Sequence, residues 1–276
     1  MCKKVFLCIF VFFLILFGAE IYDCLHQLDY FVPPYADLGE VAAKTVLSKE
    51  DYAFIFSQTG LGKPAVDDLK ETSVDFFGAL QEFQMQKQSP IYSKKEYLFF
   101  PIATAEVLTD EAGNFKYLTL PPLKKGDILL TKSTKSAIYR HGHAALVIDD
   151  GNRVAEAFMI GSNSDTASVA AWEAYATIMV LRPKAGQDTI DTAVNFARQK
   201  LIHVPYHLLT GVLDKDKSDN GHVNYTQCSH LVWQAYKAAG YDLDSDGSFL
   251  VTPADISACN DLELVYSFGF GESSTW

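Results

Sequence analysis

Two short apolar runs, 143–148 and 154–158, flank the polar stretch Asp149-Asp150-Gly151-Asn152. Polar residues with a glycine between runs rich in valine and alanine spell an antiparallel hairpin. An isolated hairpin is marginal in water, so this one needs further strands and a packed cover. The downstream chain supplies both. Strands are expected over Leu123–Leu130, Thr177–Leu181 (ended by Pro183) and Leu262–Tyr266. A helix is expected over Thr189–Leu201, with Ile190, Ala193, Val194, Ala197 and Leu201 inward. A second begins at Cys228, buries Leu231, Val232, Ala235 and Tyr236, and stops at Gly240. Hairpins mixed with helices point to an α+β domain built on an antiparallel sheet rather than a doubly wound fold.

Pro121-Pro122 marks the start of this domain, which is expected over residues 121–276. Residues 20–120 read as a mostly helical extension. Helical segments are expected over 37–47, 51–56, 65–69 and 73–86, and strands over 97–101 and 115–120. Ser48 or Ser57 is the expected cap of a helix here. Gly60-Leu61-Gly62-Lys63-Pro64 superficially resembles a phosphate loop, but Ser57 stands where its first glycine should be. Pro64 stands where the magnesium-holding hydroxyl should be. A turn is expected there instead.

Residues 1–19 read as an export signal: Lys3 and Lys4, an unbroken run Val5–Phe17, then Gly18-Ala19. The run is short of the twenty or so apolar residues of a spanning helix. The residues before Ala19 are a poor cleavage motif, so an uncleaved anchor through residues 5–17 stands beside cleavage. Both place the chain outside the cytoplasm, either secreted or tethered to the outer face of the membrane. Of the 276 residues, 49% are hydrophobic and 21% charged, which suits a packed core. The formal net charge of −11 repels phosphate backbones, so nucleic acid is not an expected partner. Beyond the signal there are three cysteines, Cys24, Cys228 and Cys259. A Cys24–Cys259 bridge would leave Cys228 free, and no Cys-x-x-Cys pair suggests a zinc site.

A thiol in the first turn of a helix meets the positive end of the helix dipole and unpaired backbone N–H groups, and both favour thiolate. Cys228 is therefore the candidate nucleophile, weighed against a buried packing cysteine. Its candidate base is His143, at the mouth of the hairpin's first strand, with His141 as competitor. His230 lies about 200° round the helix from Cys228 and faces away. Glu156, a lone carboxylate in the hairpin's second strand, is the candidate partner that orients the imidazole. Separately, Asp242, Asp244 and Asp246 with Gly247 match the first half of a calcium loop. Pro253 stands where the bidentate glutamate should be, and Asp255 is a nearby substitute. A structural calcium is weighed here against a solvated acidic turn.

Gly126-Asp127-Ile128-Leu129-Leu130, Gly142-His143-Ala144-Ala145-Leu146-Val147, Val154-Ala155-Glu156-Ala157, Cys228-Ser229-His230-Leu231-Val232 with Tyr236, and Val251-Thr252-Pro253-Ala254-Asp255-Ile256 occur in that order. In order and spacing they resemble the YiiX/YebB-like branch of the NlpC-type cysteine hydrolases. The resemblance covers about residue 121 to the end. It implies a permuted papain-like fold, with Cys228 as nucleophile, His143 as base and Glu156 as third member. His230 departs from the family pattern, where Glu is usual, and so does His207, where Asp is common. The implied activity is acyl transfer needing no cofactor, on an amide of a cell-wall peptide such as peptidoglycan. A lipid ester or thioester is the alternative, as is an inactive, calcium-stabilised surface binding module.

Overall fold

The computed structural model describes residues 30–99, 103–136, 139–150, 152–210, 223–271 and 276, with positions 11, 14 and 18 isolated before them. Most of the expected signal, Cys24 and the charged stretch 214–221 lie outside the described residues. Among those described, no helix is long and apolar enough to cross a membrane.

The chain is α+β. Helices α1 (Gly39–Ala42), α2 (Lys49–Thr59), α3 (Lys63–Thr72) and α4 (Phe76–Gln88) come first. Strands β1 (Tyr92–Phe99) and β2 (Ala103–Thr109) follow, then β3 (Ile128–Thr131), β4 (Thr134–Ser136), β5 (His143–Val147), β6 (Arg153–Glu156), β7 (Asp165–Ser168) and β8 (Ile178–Pro183). Helices α5 (Gln187–Lys200), α6 (Cys228–Ala238) and α7 (Pro253–Ser257) and strand β9 (Leu262–Phe268) complete it. An antiparallel six-stranded sheet runs β7-β6-β5-β3-β8-β9, and a smaller one runs β1-β2-β4. The smaller sheet joins the extension to the downstream domain, because β4 pairs with β2.

Both faces of the large sheet are covered. Leu129, Ala145, Val147, Val154 and Val180 pack with α2–α4 through Ile55, Leu61, Val66, Leu80 and Phe83. Their alternate neighbours Ile128, Leu130, Ala144, Leu146 and Ala155 pack with α5 and α6 through Ala193, Val194, Ala197, Leu231 and Ala235. β3 and β5 are consequently buried at every position, the signature of a strand covered on both sides. The helical extension therefore shares a core with the sheet.

Ion pairs clamp the two layers together. Arg182 in β8 donates Nε and Nη2 to the two oxygens of Asp127, both at 2.8 Å, and Nη1 to Asp68 of α3 at 2.8 Å. Lys124 adds a 2.7 Å bond to the other oxygen of Asp68. The family-like Gly126-Asp127 pair is thus structural, and Tyr236 of α6 donates its hydroxyl to the Gly126 carbonyl.

Ser48 caps α2 in a capping box with Asp51. Gly60–Pro64 is the expected turn, and its neighbours explain its glycines. Gly60 sits at φ +79° as the left-handed cap of α2. A side chain on Gly62 would meet the Leu264 carbonyl of β9 at 1.8 Å. The turn lies against the outer edge of β9, where Gly62 N donates to Val265 O at 2.8 Å and Ser267 N to Gly60 O at 2.9 Å. Several expectations shift. Residues 115–120 form no strand and contribute only an isolated bridge from Phe115 to Thr109. β2, β4 and β7 arise where no strand was expected, and β3 begins at Ile128 rather than Leu123 because Lys124–Asp127 form a turn.

Candidate active site

Cys228 is the first residue of α6. Gln227 is the N-cap: its side-chain oxygen accepts from Ser229 N at 3.1 Å, and its amide nitrogen donates to Val251 O at 2.8 Å. That same oxygen lies 3.4 Å from the Cys228 sulfur. The cap thus fixes the first turn while the thiol faces the sheet.

The facing strand end carries His143. Gly142 precedes it at φ +73°, where a side chain would meet the Thr131 carbonyl at 2.7 Å. The chain can therefore turn sharply into β5 and place the imidazole at the rim. Because Leu146 faces Ala155 and Val147 faces Val154, Glu156 falls on the same sheet face as His143, as a diagonal cross-strand neighbour. His143 Nε2 and Glu156 Oε2 are 2.9 Å apart. With Nε2 committed to Glu156, Nδ1 is the nitrogen available to Cys228, and the two side chains lie close enough for each to shift the other's pKa. The structure brings Cys228, His143 and Glu156 together as a chain of contacts.

Electrostatics polarise that chain. Burial pushes the His143 pKa down, but its bonds to Cys228 and Glu156 and their charges outweigh burial and raise it to about 10. Burial pushes the Cys228 thiol up, but the bond to His143, its charge and the backbone N–H groups of Ala144 and Ser229 outweigh burial and lower it. Both shifts favour the thiolate and imidazolium forms of the pair.

His141 stands outside this chain of contacts. Its Nδ1 contacts the Gly142 carbonyl at 2.6 Å and its Nε2 the Ser136 hydroxyl at 3.0 Å. Burial holds its pKa below the usual histidine range. His230 lies in the core beside Trp233, with Nδ1 3.3 Å from the Thr226 hydroxyl. His207 packs against Tyr225.

Trp172 escaped sequence reasoning. Its indole donates Nε1–H to the same Glu156 oxygen at 3.1 Å. The ring stacks on His143 at a centroid distance of 5.1 Å and 15° between planes. It thus orients the carboxylate and presents a π face to the imidazolium. No spacing rule links a tryptophan in a 3-10 turn after β7 to a histidine on β5. The available signal was only a bulky aromatic among alanines. Tyr206 was missed too. It lines the cleft, and its phenol pKa is raised by burial and by the Cys228 charge.

The acidic loop regroups. Asp242 accepts from Trp233 Nε1 at 2.8 Å and from Lys237, so it falls outside the cluster expected from the sequence. Asp255 takes its place: ligand atoms of Asp244, Asp246 and Asp255 lie within 4.8 Å of one another. Asp255 also accepts from Thr252 as the capping box of α7.

No family model, curated protein or solved structure matches this chain.

Proposed function

We propose that the chain is a cysteine hydrolase of the permuted papain-like, YiiX/YebB-like kind, working through an acyl-enzyme on Cys228. The observation that carries this reading is the connected set Cys228–His143–Glu156, with the thiol and imidazole buried and the thiol at a helix start. A buried packing cysteine has no need of an imidazole whose other nitrogen is held by a carboxylate.

In this reading the Cys228 thiolate attacks a substrate carbonyl. The oxyanion develops near the backbone N–H groups of the first turn of α6. Imidazolium His143 protonates the leaving group, then takes a proton from the water that releases the acyl group. Glu156 keeps the imidazole ring in register and stabilises its charge. No cofactor takes part. The resemblance gives an amide of a cell-wall peptide as the expected substrate, and ester or thioester carbonyls react by the same steps. The enzyme acts outside the cytoplasm, delivered or tethered by residues 1–19, and the mass of the mature N-terminus tests that.

The test of the triad is labelling of the full chain by iodoacetamide. Cys228 should label far faster than Cys259, whose pKa is raised by burial, and His143→Ala should remove the difference. Equal rates, or rates indifferent to His143, would leave Cys228 as a packing residue.

A further inference from the structure

The cleft in front of Cys228 has a volume of about 180 Å³. Its walls are Leu98, Ala103, Phe158, Met159, Ile160 and Leu208. They come from the β1–β2 hairpin, the segment after β6 and the segment before α6. Among the described residues lining it there is no Asp, Glu, Lys or Arg. Two of its polar members, Ser136 and His141, are hydrogen-bonded to each other. Its outer wall is apolar as well, since Ile160 is 67% and Leu208 51% exposed. Among the described residues that line it, the charges it can meet are those of Cys228 and His143.

A free amine or carboxylate entering such a cleft would lose water and gain no counter-charge from its apolar walls, which is strongly unfavourable. Cell-wall peptides carry such groups beside their scissile amides. A hydrocarbon chain loses nothing and gains from leaving water. Resting on the acyl-transfer reading above, we infer that the group transferred to Cys228 is an uncharged, apolar acyl chain rather than a peptide residue. At about 30 Å³ per water-sized group, the cleft holds on the order of six non-hydrogen atoms of that chain.

The step balances simply. The thiolate forms an S–C bond to the acyl carbon, the bond from that carbon to the leaving oxygen breaks, and the His143 proton goes to the departing alcohol. Water then adds to the thioester and gives its proton to His143. The S–C bond breaks, releasing the carboxylic acid and restoring the thiolate.

The experiment offers the full-length protein p-nitrophenyl acetate, butyrate, hexanoate and octanoate. A γ-glutamyl peptide with free amine and carboxylate serves as comparator, and iodoacetamide labelling of Cys228 is followed in the same preparation. The expected result is a kcat/KM that rises about threefold per methylene up to roughly six carbons and then flattens. The peptide should be cleaved at least a hundredfold more slowly. Ala103→Phe, which fills the cleft, should move the preference to acetate by tenfold or more. Ile160→Asp, at an exposed position that does not threaten folding, should lower hexanoate turnover about tenfold while sparing acetate more. Normal labelling with a flat chain-length profile, or with the peptide preferred, would overturn the apolar substrate and leave the triad standing. Labelling that does not depend on His143 would remove the triad, and the substrate inference with it.

Discussion

The β3–β5 ladder carries a charge cluster at each end, and in the proposed reading the two serve opposite purposes. At one end Asp127 is gripped by Arg182, which also reaches Asp68. At the other, His143 joins Glu156 and Cys228. The first uses a guanidinium, which does not give up its proton in proteins and has a fork that fits a carboxylate. Its groups answer one another, so it is inert and serves only to hold α3 to the sheet. The second uses a thiol and an imidazole, groups that can pass a proton between them, and it opens on a cleft. A charge buried for strength is fully matched by a partner that cannot titrate, whereas one buried for chemistry is left one proton from rearranging.

That contrast breaks most visibly under mutation. Cys228→Ala should abolish turnover, and His143→Ala should lower kcat/KM by about 10³–10⁴-fold while the fold persists. Arg182→Met should do the reverse, destabilising the protein by about 3–5 kcal/mol through an uncompensated Asp127. Activity per folded molecule should change little. Urea midpoints and single-substrate kinetics on both variants check the pair, and a catalytic loss confined to Arg182→Met would erase the distinction.

Acidity sharpens it next. The Cys228 pKa is lowered and that of His143 raised to about 10. Activity should therefore hold through neutral pH and fall on an alkaline limb near pH 10, as the imidazolium loses its proton. Because the folded value of His143 lies above its unfolded value of about 6.5, the stability it adds is complete below about pH 6.5. That contribution declines above this point and is gone past about pH 10. Urea midpoints of wild type and His143→Asn, compared across pH 6 to 10.5, should converge at the alkaline end.

Trp172 offers a finer test. Trp172→Leu removes the stacked face and should draw the alkaline limb down by up to about one unit. Trp172→Phe keeps a ring and should restore most of that shift. Identical profiles for both variants would reduce Trp172 to packing.

The smallest effect concerns the loop of Asp244, Asp246 and Asp255. If it holds calcium, EDTA should lower the melting temperature by a few degrees with turnover unchanged. An unmoved transition would leave the loop as a solvated acidic turn.

The hairpin, the two core helices and the place of Cys228 at a helix start were legible because their signals are local. A polar turn, a 3.6-residue stripe and a helix start each announce themselves within a dozen residues. Glu156 was legible for a related reason, since a lone carboxylate inside Val154–Phe158 has to find a partner. Choosing His143 over His141 was not decidable, because both sit at one strand mouth. Only the turn at Gly142 and the bond from Ser136 to His141 separate them. β2 and β7 were hidden for another reason. Half-buried short strands such as Asp165–Ser168 owe their conformation to pairing with distant residues, and no local propensity encodes that. Trp172 acts across the sheet, and such a contact exists only once the chain has folded.

The Gly60–Gly62 turn has one more consequence. By hydrogen-bonding to β9 it closes one border of the six-stranded sheet, leaving β7 as the border strand with a single neighbour among the described strands. A sheet open at both ends can add copies without limit, but one sealed at one end can join a second copy only once. Among the described residues, strand-to-strand association through the main sheet then has one edge to use and stops at two copies.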